Sequence, residues 1–228
     1  MGAMDGRHTF WDLLDDDSRA QLRGIGRMTA FPPKVTLLRQ HDLTDDVLVV
    51  RRGCVKVVAN SAAGYQAVLA IRNAGDLLGE QAALDGRPRS ATLTALTRVE
   101  ALVIPSPLFR EAARSGPALA FALQQVLSSR LREADGYRAA AGSEAVQARL
   151  AALLLELGAE YGRPVRSGSV LIDLPLSQDD FAGLVLSSRR TVSRVFEQWR
   201  GRGWVTTGRN RLTIDRPDEL KKLSGTGH

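Results

Sequence analysis

The sequence has only one cysteine and three histidines among 228 residues. Within one chain, Cys54 cannot form a disulfide framework, a four-thiolate iron–sulfur cluster or a zinc finger, and we expect a buried thiol in a strand. His8, His41 and His228 are far apart and lack the spacing of metal ligands. The composition therefore predicts no metal site and no required cofactor.

Long apolar runs are also missing, because no run approaches the roughly eighteen residues that a membrane-spanning helix needs. The first seven residues contain no apolar stretch of the kind found in secretion signals. We therefore expect a cytoplasmic protein with no membrane partner. No nucleophile elbow, phosphate loop or paired-carboxylate motif is present, so we expect no catalytic residues and no enzymatic activity.

Positive charge is concentrated in one segment. The net charge is +6, and residues 187–211 contain seven arginines against one acidic residue, so the rest of the chain balances to zero. A basic segment on an otherwise neutral protein is typical of phosphate binding, and nucleic acid is the commonest partner. Solvated surface charge is the alternative that charge alone leaves open.

From Phe31 to Ile104, short apolar stretches alternate with turn residues at intervals of roughly ten residues. β-Branched residues are frequent in these stretches, for example in "VLVVRRG" and "CVKVVAN". This pattern predicts an antiparallel β-roll or barrel. Together with the helices that follow, it indicates an α+β fold.

After Pro105 the period becomes helical. Gly116 is expected to stop a short helix, and Pro117 suits the first position of a long helix that reaches about Ala141. An apolar stripe on this helix predicts a partner helix, so we expect a homodimer. The stripe consists of Leu123, Leu127, Leu131 and Ala134.

A hinge is expected at residues 140–143, where Gly142 would stop the long helix and Ser143 would cap the next one. The sequence then predicts three parts. Residues 1–116 form the sensor barrel, residues 117–142 form the long helix and hinge, and residues 143–228 form a C-terminal domain.

The C-terminal domain has the pattern of a winged helix-turn-helix. Ser177 caps one helix with Asp180 three residues later, Ser188 opens a second helix, and a hairpin surrounds Gly208. The second helix has an apolar face that includes Trp199. Its opposite face carries polar residues long enough to reach base edges in a major groove.

The order of these parts resembles the cyclic-AMP receptor protein/fumarate-nitrate-reduction regulator (CRP/FNR) family of bacterial transcription regulators. The resemblance covers nearly the whole chain, from about Phe10 to Leu223. It is carried by "VVRRGCVKVV", "GDLLGEQAAL", "PRSATLTALT" and "LSQDDFAGLVLSSRRTVSRVFEQWRGRGWV". It implies a ligand-responsive regulator that binds double-stranded DNA and contacts RNA polymerase.

Four residues are implied to bind the effector, cyclic AMP or a related nucleotide. Residues matching Glu80 accept from the ribose 2′-hydroxyl, those matching Arg89 and Ser90 hold the cyclic phosphate, and backbone near Gly79 closes the loop. An arginine with a hydroxyl is a charge-assisted clamp for one negative charge, so Arg89→Leu is expected to abolish binding with little change in heat stability. The alternative is that Glu80 and Arg89 pair with each other.

The long helix departs from the cyclic-AMP receptor protein where its hydroxyls contact adenine. Ala134 and Asp135 occupy those positions here. Ala134 offers no polar contact to the base, whereas Asp135 could accept from an exocyclic amine. Base identity therefore stays open at this point.

Seven residues are implied to bind DNA: Ser188, Arg189, Arg190, Thr191, Ser193, Arg194 and Arg209. Arg190 stands where many relatives have Glu. Leu186 stands where the turn often has Gly, so we expect the turn to adopt another geometry. Two other functions remain. One is a regulator of this architecture without a nucleotide, and the other is a nucleotide-binding signalling module with a protein partner.

Overall fold

The structure is a computed structural model that describes residues 8–60, 66–165, 168–208 and 211–225. The chain divides into two compact units, residues 1–64 with 70–133 and residues 65–69 with 134–228. The boundaries expected from the sequence, at residues 116/117 and 142/143, stay predictions.

The N-terminal half has two short helices, eight strands and two further helices before the long helix. The helices are α1 (Phe10–Leu13), α2 (Asp16–Ile25), α3 (Glu80–Asp85), α4 (Ser106–Ser115) and α5 (Pro117–Ser143). The strands are β1 (Arg27–Phe31), β2 (Thr36–Leu38), β3 (Val47–Arg52), β4 (Val55–Asn60), β5 (Gln66–Arg72), β6 (Leu77–Leu78), β7 (Thr92–Ala95) and β8 (Val99–Ile104).

These strands form two four-stranded sheets. One has the order β1-β8-β3-β6 and the other β2-β7-β4-β5. Val47 to Val50 of β3 are all buried although successive side chains point to opposite faces. Val47 and Val49 belong to a core with the helices, whereas Leu48 and Val50 belong to a core between the sheets. The antiparallel roll expected from the sequence is confirmed.

Helix α5 begins at Pro117, as predicted, but the expected stop at Gly142 is wrong. The helix continues to Ser143, whose hydroxyl donates to the Ala139 carbonyl instead of capping the next helix. The N-cap of the next helix is Ala145. A single glycine costs only about 1 kcal/mol within a helix, and the run of alanines before it favours continuation.

The predicted apolar stripe on α5 serves two purposes. Leu123 is buried in the chain's own core, and Leu127 packs against that core. Leu131 is 61% exposed. Phe121, which was not part of the predicted stripe, is 60% exposed. The exposed face therefore lies beside the predicted one, because the core takes up part of the stripe.

The C-terminal half contains four helices and four strands within its described residues. The helices are α6 (Val146–Tyr161), α7 (Gln178–Leu184), α8 (Arg189–Gly201) and α9 (Pro217–Leu223), and the strands are β9 (Gly162–Pro164), β10 (Val170–Ile172), β11 (Val205–Gly208) and β12 (Arg211–Ile214). The strands form one sheet with the order β11-β12-β10-β9.

An aromatic cluster holds α7 against α8. Phe181 meets Phe196 edge-on with ring centroids 5.3 Å apart, and Phe196 meets Trp199 edge-on at 6.2 Å. All three side chains are buried. The inward face of α8 expected from the sequence is therefore confirmed, and its opposite face is left for function.

Two local expectations were wrong. Cys54 lies in the turn between β3 and β4 and is only half-buried, because Gly53 ends the strand before it. Leu186 has φ of +49°, so the turn between α7 and α8 keeps its left-handed geometry despite the absence of glycine. This conformation costs a non-glycine residue about 1–2 kcal/mol.

Candidate functional site

The loop that begins α3 is built around Gly79. Its φ is +76°, and an added Cβ would lie 2.7 Å from Nη1 of Arg89 and 3.0 Å from the Asp46 carbonyl oxygen. Glycine is therefore required both by the left-handed backbone and by the close approach of Arg89. This turn places Glu80 at the first position of α3.

Glu80 forms an ion pair with a residue of α5. Its Oε1 lies 2.7 Å from Nη1 of Arg130, and Nη2 of Arg130 donates to the Leu77 carbonyl at 2.6 Å. Glu80 is 4% exposed, and the pair satisfies a carboxylate that would otherwise be costly to bury. Nε of Arg130 is buried and has no hydrogen-bond partner among the described residues. Such an orphaned donor suits a site that receives ligand or water oxygens.

Arg89 donates to three groups of its own chain. Its Nη1 bonds the Gly79 carbonyl at 2.8 Å, Nη2 bonds the Asp46 carbonyl at 2.7 Å, and Nε bonds the Thr44 hydroxyl at 3.2 Å. The residue is 3% exposed. A guanidinium has five N–H donors, so two remain after these bonds.

Charge around Arg89 is predominantly negative. Burial lowers the pKa of the Arg89 guanidinium, and the carboxylates of Asp46, Asp45 and Glu80 oppose this change. The ion pair of Glu80 is with Arg130, so the alternative in which Glu80 and Arg89 form a pair is not what the structure shows. The local field would accommodate one compact anion better than a highly charged one.

Ser90 is exposed beside this group, and its hydroxyl donates to Oε1 of Gln81 at 2.7 Å. Gly79, Glu80, Arg89 and Ser90 thus gather around the start of α3. Sequence reasoning missed Arg130, which lies fifty residues from Glu80 in the chain. No signal in the sequence singles out Arg130, because it is one of three arginines on α5.

At the second site, two hydroxyls build the start of α8. The Ser188 side chain accepts from the Thr191 N–H at 3.1 Å, and the two hydroxyls lie 2.9 Å apart. Ser177 caps α7 in the same way, with Asp180 completing the predicted capping box. The serine caps therefore fix where both helices begin.

Helix α7 contacts two of the side chains expected to read DNA. Asp179 lies 3.4 Å from Nη1 of Arg189, and both side chains are well exposed. The Ser193 hydroxyl donates to Oε1 of Gln178. Sequence reasoning missed both α7 residues, because their partners lie ten and fifteen residues further along the chain.

Arg190 and Arg194 are exposed, and within the described part of the chain neither forms an ion pair. They project from the same helix as the capped Ser188 and are available for an anionic partner. Arg209, the residue expected in the wing, lies outside the described residues. Strand β12 follows with Arg211 opposite Gly208.

Other site types have no support in the described residues. None of their His, Cys, Asp and Glu side chains form a group of three that could hold a metal ion. In the same ranges, no helix combines the length and apolar character needed to cross a membrane.

Two family models match the chain, one on each of these sites. The cyclic nucleotide-binding domain matches residues 28–115, and the Crp-like helix-turn-helix domain matches residues 148–223. The first range includes Gly79, Glu80, Arg89 and Ser90. The second includes all of α7 and α8.

Similar proteins share both parts. A CRP-like cAMP-activated global transcriptional regulator of Mycobacterium tuberculosis is 27% identical over 84% of this chain and 85% of its own length. The cyclic AMP receptor protein of Thermus thermophilus is 27% identical over 97% and 98%, respectively.

A solved transcriptional regulator of the CRP/FNR family from Thermus thermophilus covers the same architecture. It has a TM-score of 0.73 and 25% identity, covering 87% of this chain and 98% of that one. The members of this family are transcription regulators and not enzymes. With a cyclic nucleotide-binding domain followed by a DNA-binding helix-turn-helix, the chain belongs to the CRP/FNR family of transcription regulators.

Proposed function

We propose that this regulator binds cyclic AMP or a related cyclic nucleotide at the start of α3 and acts as a homodimer on double-stranded DNA. The observation that carries the proposal is the gathering of Glu80, Arg89 and Ser90 around one turn, with Arg130 added by α5. A regulator of chromosomal DNA works in the cytoplasm. Contact with RNA polymerase is proposed from the family alone.

In the proposed complex, the sugar hydroxyl donates to Glu80. A carboxylate accepts about four hydrogen bonds, so it can hold the hydroxyl while it remains paired with Arg130. The cyclic phosphate accepts the two remaining N–H groups of Arg89 and the Ser90 hydroxyl, which turns away from Gln81. Backbone at Gly79 leaves room because this residue has no side chain.

Calorimetric titration of the full chain with cyclic AMP and cyclic GMP tests this site. Ser90→Ala should weaken binding because it removes one contact to the ligand. Glu80→Gln should weaken it because one neutral amide oxygen replaces the two carboxylate oxygens that Arg130 and the sugar hydroxyl share. Arg87→Met is the matched control, since Arg87 is exposed and lies two residues from Arg89. If neither nucleotide produces binding heat with the wild type, the proposed ligand is wrong.

A regulator of the same architecture that works without a nucleotide is the second candidate. The three bonds that Arg89 makes within its own chain favour it, because they give this arginine a structural role that needs no ligand. DNA binding that is equally tight with and without cyclic nucleotides, together with an absence of binding heat, would support this candidate.

We propose that α8 reads bases through Arg189, Arg190 and Arg194, and that Arg209 contacts phosphate from the wing. Ser188 and Thr191 fix the start of the helix, and Ser193 joins it to Gln178 of α7 on the side that faces DNA. An arginine donates two bonds to guanine O6 and N7 but cannot accept from cytosine N4. The half-site should therefore differ from that of relatives with Glu at the position of Arg190.

Selection of binding sites from random DNA tests this assignment. Arg190→Glu should move the preference toward cytosine at one position, with discrimination changing by about 1–3 kcal/mol. Arg209→Ala should instead weaken all sequences alike and reduce the salt dependence. Identical motifs from the wild type and Arg190→Glu would show that Arg190 does not reach the bases.

The exposed face of α5 supports the dimer. Phe121 and the smaller, exposed Ser128 are seven residues apart, and Leu131 follows three residues later, so the three side chains lie within an arc of about 80° on one side of the helix. Exposed large apolar groups in this spacing are typical of a helix that packs against a second copy. Sedimentation of the wild type at micromolar concentration should therefore show a dimer.

A further inference from the structure

Arg149, near the start of α6, joins the ends of two other helices. Its Nε donates to the Val185 carbonyl at 3.1 Å, and its Nη1 donates to the Ala140 carbonyl at 3.3 Å and to the Glu144 carbonyl. Val185 is the C-cap of α7, and Ala140 lies in the last turn of α5. All four residues belong to the second compact unit. We call Arg149 and these three carbonyls the hinge clamp.

The bonds of the hinge clamp go to the carboxyl ends of two helices. The last turn of an α-helix presents carbonyl groups to its surroundings and carries the negative end of the helix dipole. An arginine that approaches two such ends forms charge-assisted hydrogen bonds with both. Leu186 follows Val185 directly, and its left-handed backbone turns the chain from α7 toward α8. The hinge clamp therefore acts at the turn that orients α8.

The segment beside the hinge clamp is short and weakly held by its own sequence. Only Glu144 and Ala145 separate α5 from α6. Gly142 lies in the last turn of α5, where a glycine costs about 1 kcal/mol relative to alanine. Without Arg149, this last turn would unwind at low cost, and α6 with the helix-turn-helix would change direction relative to the end of α5.

A dimeric regulator has to present its two α8 helices at the spacing of two half-sites, which lie about 34–36 Å or a multiple apart along the duplex. One additional base pair moves a half-site by about 3.4 Å and rotates it by roughly 35° around the duplex axis. An α8 that is held rigidly to the end of α5 cannot follow this rotation. The DNA must then be deformed, which costs free energy.

We propose that Arg149 is a positioning residue that fixes the spacing of the half-sites, which rests on the proposed homodimer through α5 and on DNA reading by α8. The guanidinium holds the turn between α7 and α8 against the last turn of α5. Each α8 therefore cannot move independently of the helix through which the two copies meet. Loss of the hinge clamp leaves each α8 able to read its bases but removes the fixed separation of the two.

Mobility-shift titration of the full chain with a series of duplexes tests this role. Each duplex carries two copies of the half-site obtained by selection, at the selected spacing or with one or two base pairs added or removed, and is titrated with and without cyclic AMP. The wild type should lose roughly tenfold or more in affinity at each altered spacing. Arg149→Met should bind all spacings within about threefold of one another, because each α8 can then follow its half-site.

A duplex with a single half-site separates positioning from base reading. It should bind Arg149→Met as tightly as the wild type, because α8 and its cap are unchanged. Arg163→Met is the matched control and should keep the wild-type spacing preference, since Arg163 is an exposed arginine of the same unit that pairs with Asp173 at 3.7 Å. Arg149→Lys should be intermediate, because an ammonium group joins two helix ends less well than a planar guanidinium.

A wild type that binds all spacings equally, or an Arg149→Met variant that keeps the full spacing preference, would overturn the role of Arg149. Weaker binding of Arg149→Met to the single half-site would also overturn it, because Arg149 would then hold the helix-turn-helix itself together. The same conclusion would follow if neither Arg149 variant melted cooperatively. A wild type that binds no DNA, or binds it as a monomer, would overturn the proposed dimeric regulator and the role of the hinge clamp with it.

Discussion

Replacing Arg89 by methionine should destabilise the N-terminal unit as well as remove a phosphate contact. Methionine keeps most of the length of the side chain but donates no hydrogen bond. The carbonyls of Gly79 and Asp46 lose charge-assisted donors at 2.8 and 2.7 Å, and the Thr44 hydroxyl loses a third partner. The sequence alone led to the opposite expectation, that heat stability would hardly change.

The magnitude follows from the bonds that are lost. Hydrogen bonds to charged groups contribute about 1.5–3 kcal/mol each, and the carbonyl bonds of Arg89 are only partly buried, so the lower figure applies. Two such bonds contribute about 3 kcal/mol, and the removal of a buried charge returns part of this, which leaves a loss of about 2 kcal/mol. At about 3–4 °C per kcal/mol, the melting temperature should fall by roughly 6–8 °C.

Calorimetric melting without nucleotide measures the loss directly. Arg87→Met serves as the control and should leave the melting temperature unchanged, because Arg87 is exposed on the same loop. The melting temperature of Arg89→Lys should lie between those of the wild type and Arg89→Met, since one ammonium group cannot reach all the groups that the guanidinium joins. An unchanged melting temperature for Arg89→Met would refute the structural role of these three bonds.

Three further results are expected. Leu131→Lys should weaken the dimer by about 2–4 kcal/mol, roughly 30- to 700-fold, because an exposed leucine is lost from each copy. Leu108→Lys on α4 is the control and should leave the dimer unchanged. Equal sedimentation of the two variants would contradict the proposed packing of α5 against α5. Asp179→Asn should raise affinity for all DNA sequences several-fold in a mobility-shift titration, since it frees Arg189 and removes a charge that repels phosphate; unchanged affinity would show that the pair has no influence. Hydrogen bonds from Thr9 lower the pKa of Asp12. The ionised carboxylate therefore stabilises the fold above about pH 4, and this contribution is lost as pH falls through the lowered pKa. In Asp12→Asn the melting temperature should accordingly depend less on pH between pH 5 and 3, whereas parallel melting-temperature curves for the variant and the wild type would argue against the contribution.

Local chemistry explains which parts of the fold could be predicted. The start of α5 at Pro117 and the caps at Ser177 and Ser188 depend on residues within one helical turn, so the sequence pattern was sufficient. The end of α5 was not predictable in this way. Gly142 ends a helix only when a non-helical backbone is more stable there. Whether the Ser143 hydroxyl caps the next helix or donates to the Ala139 carbonyl within α5 depends on how the following segment packs.

The candidate sites show the same limit. Glu80, Arg89 and Ser90 lie close together in the chain, and the sequence placed them in one loop. Their partners did not follow from it, because Arg130 arrives from α5 and the bonds of Arg89 go partly to backbone at Asp46, which carries no side-chain signal. Long-range packing therefore determines the state of each charged group, although the local sequence determines which groups are present.

Both proposed anion sites already hold their arginines with groups of the chain, but the energetics differ. The Arg189–Asp179 pair is exposed, so it is worth at most about 1 kcal/mol and DNA phosphate or a base can replace it at little cost. The bonds of Arg89 are shorter and the residue is 3% exposed, so exchanging them for a phosphate would cost as much as the new contacts return. A nucleotide must therefore add to these bonds and not replace them. The two remaining N–H groups of Arg89 then limit how many phosphate oxygens it can bind. They suit the two free oxygens of a cyclic phosphodiester. A terminal phosphate has a third oxygen and a second negative charge, which would face the carboxylates of Asp45 and Asp46 without a further donor from Arg89.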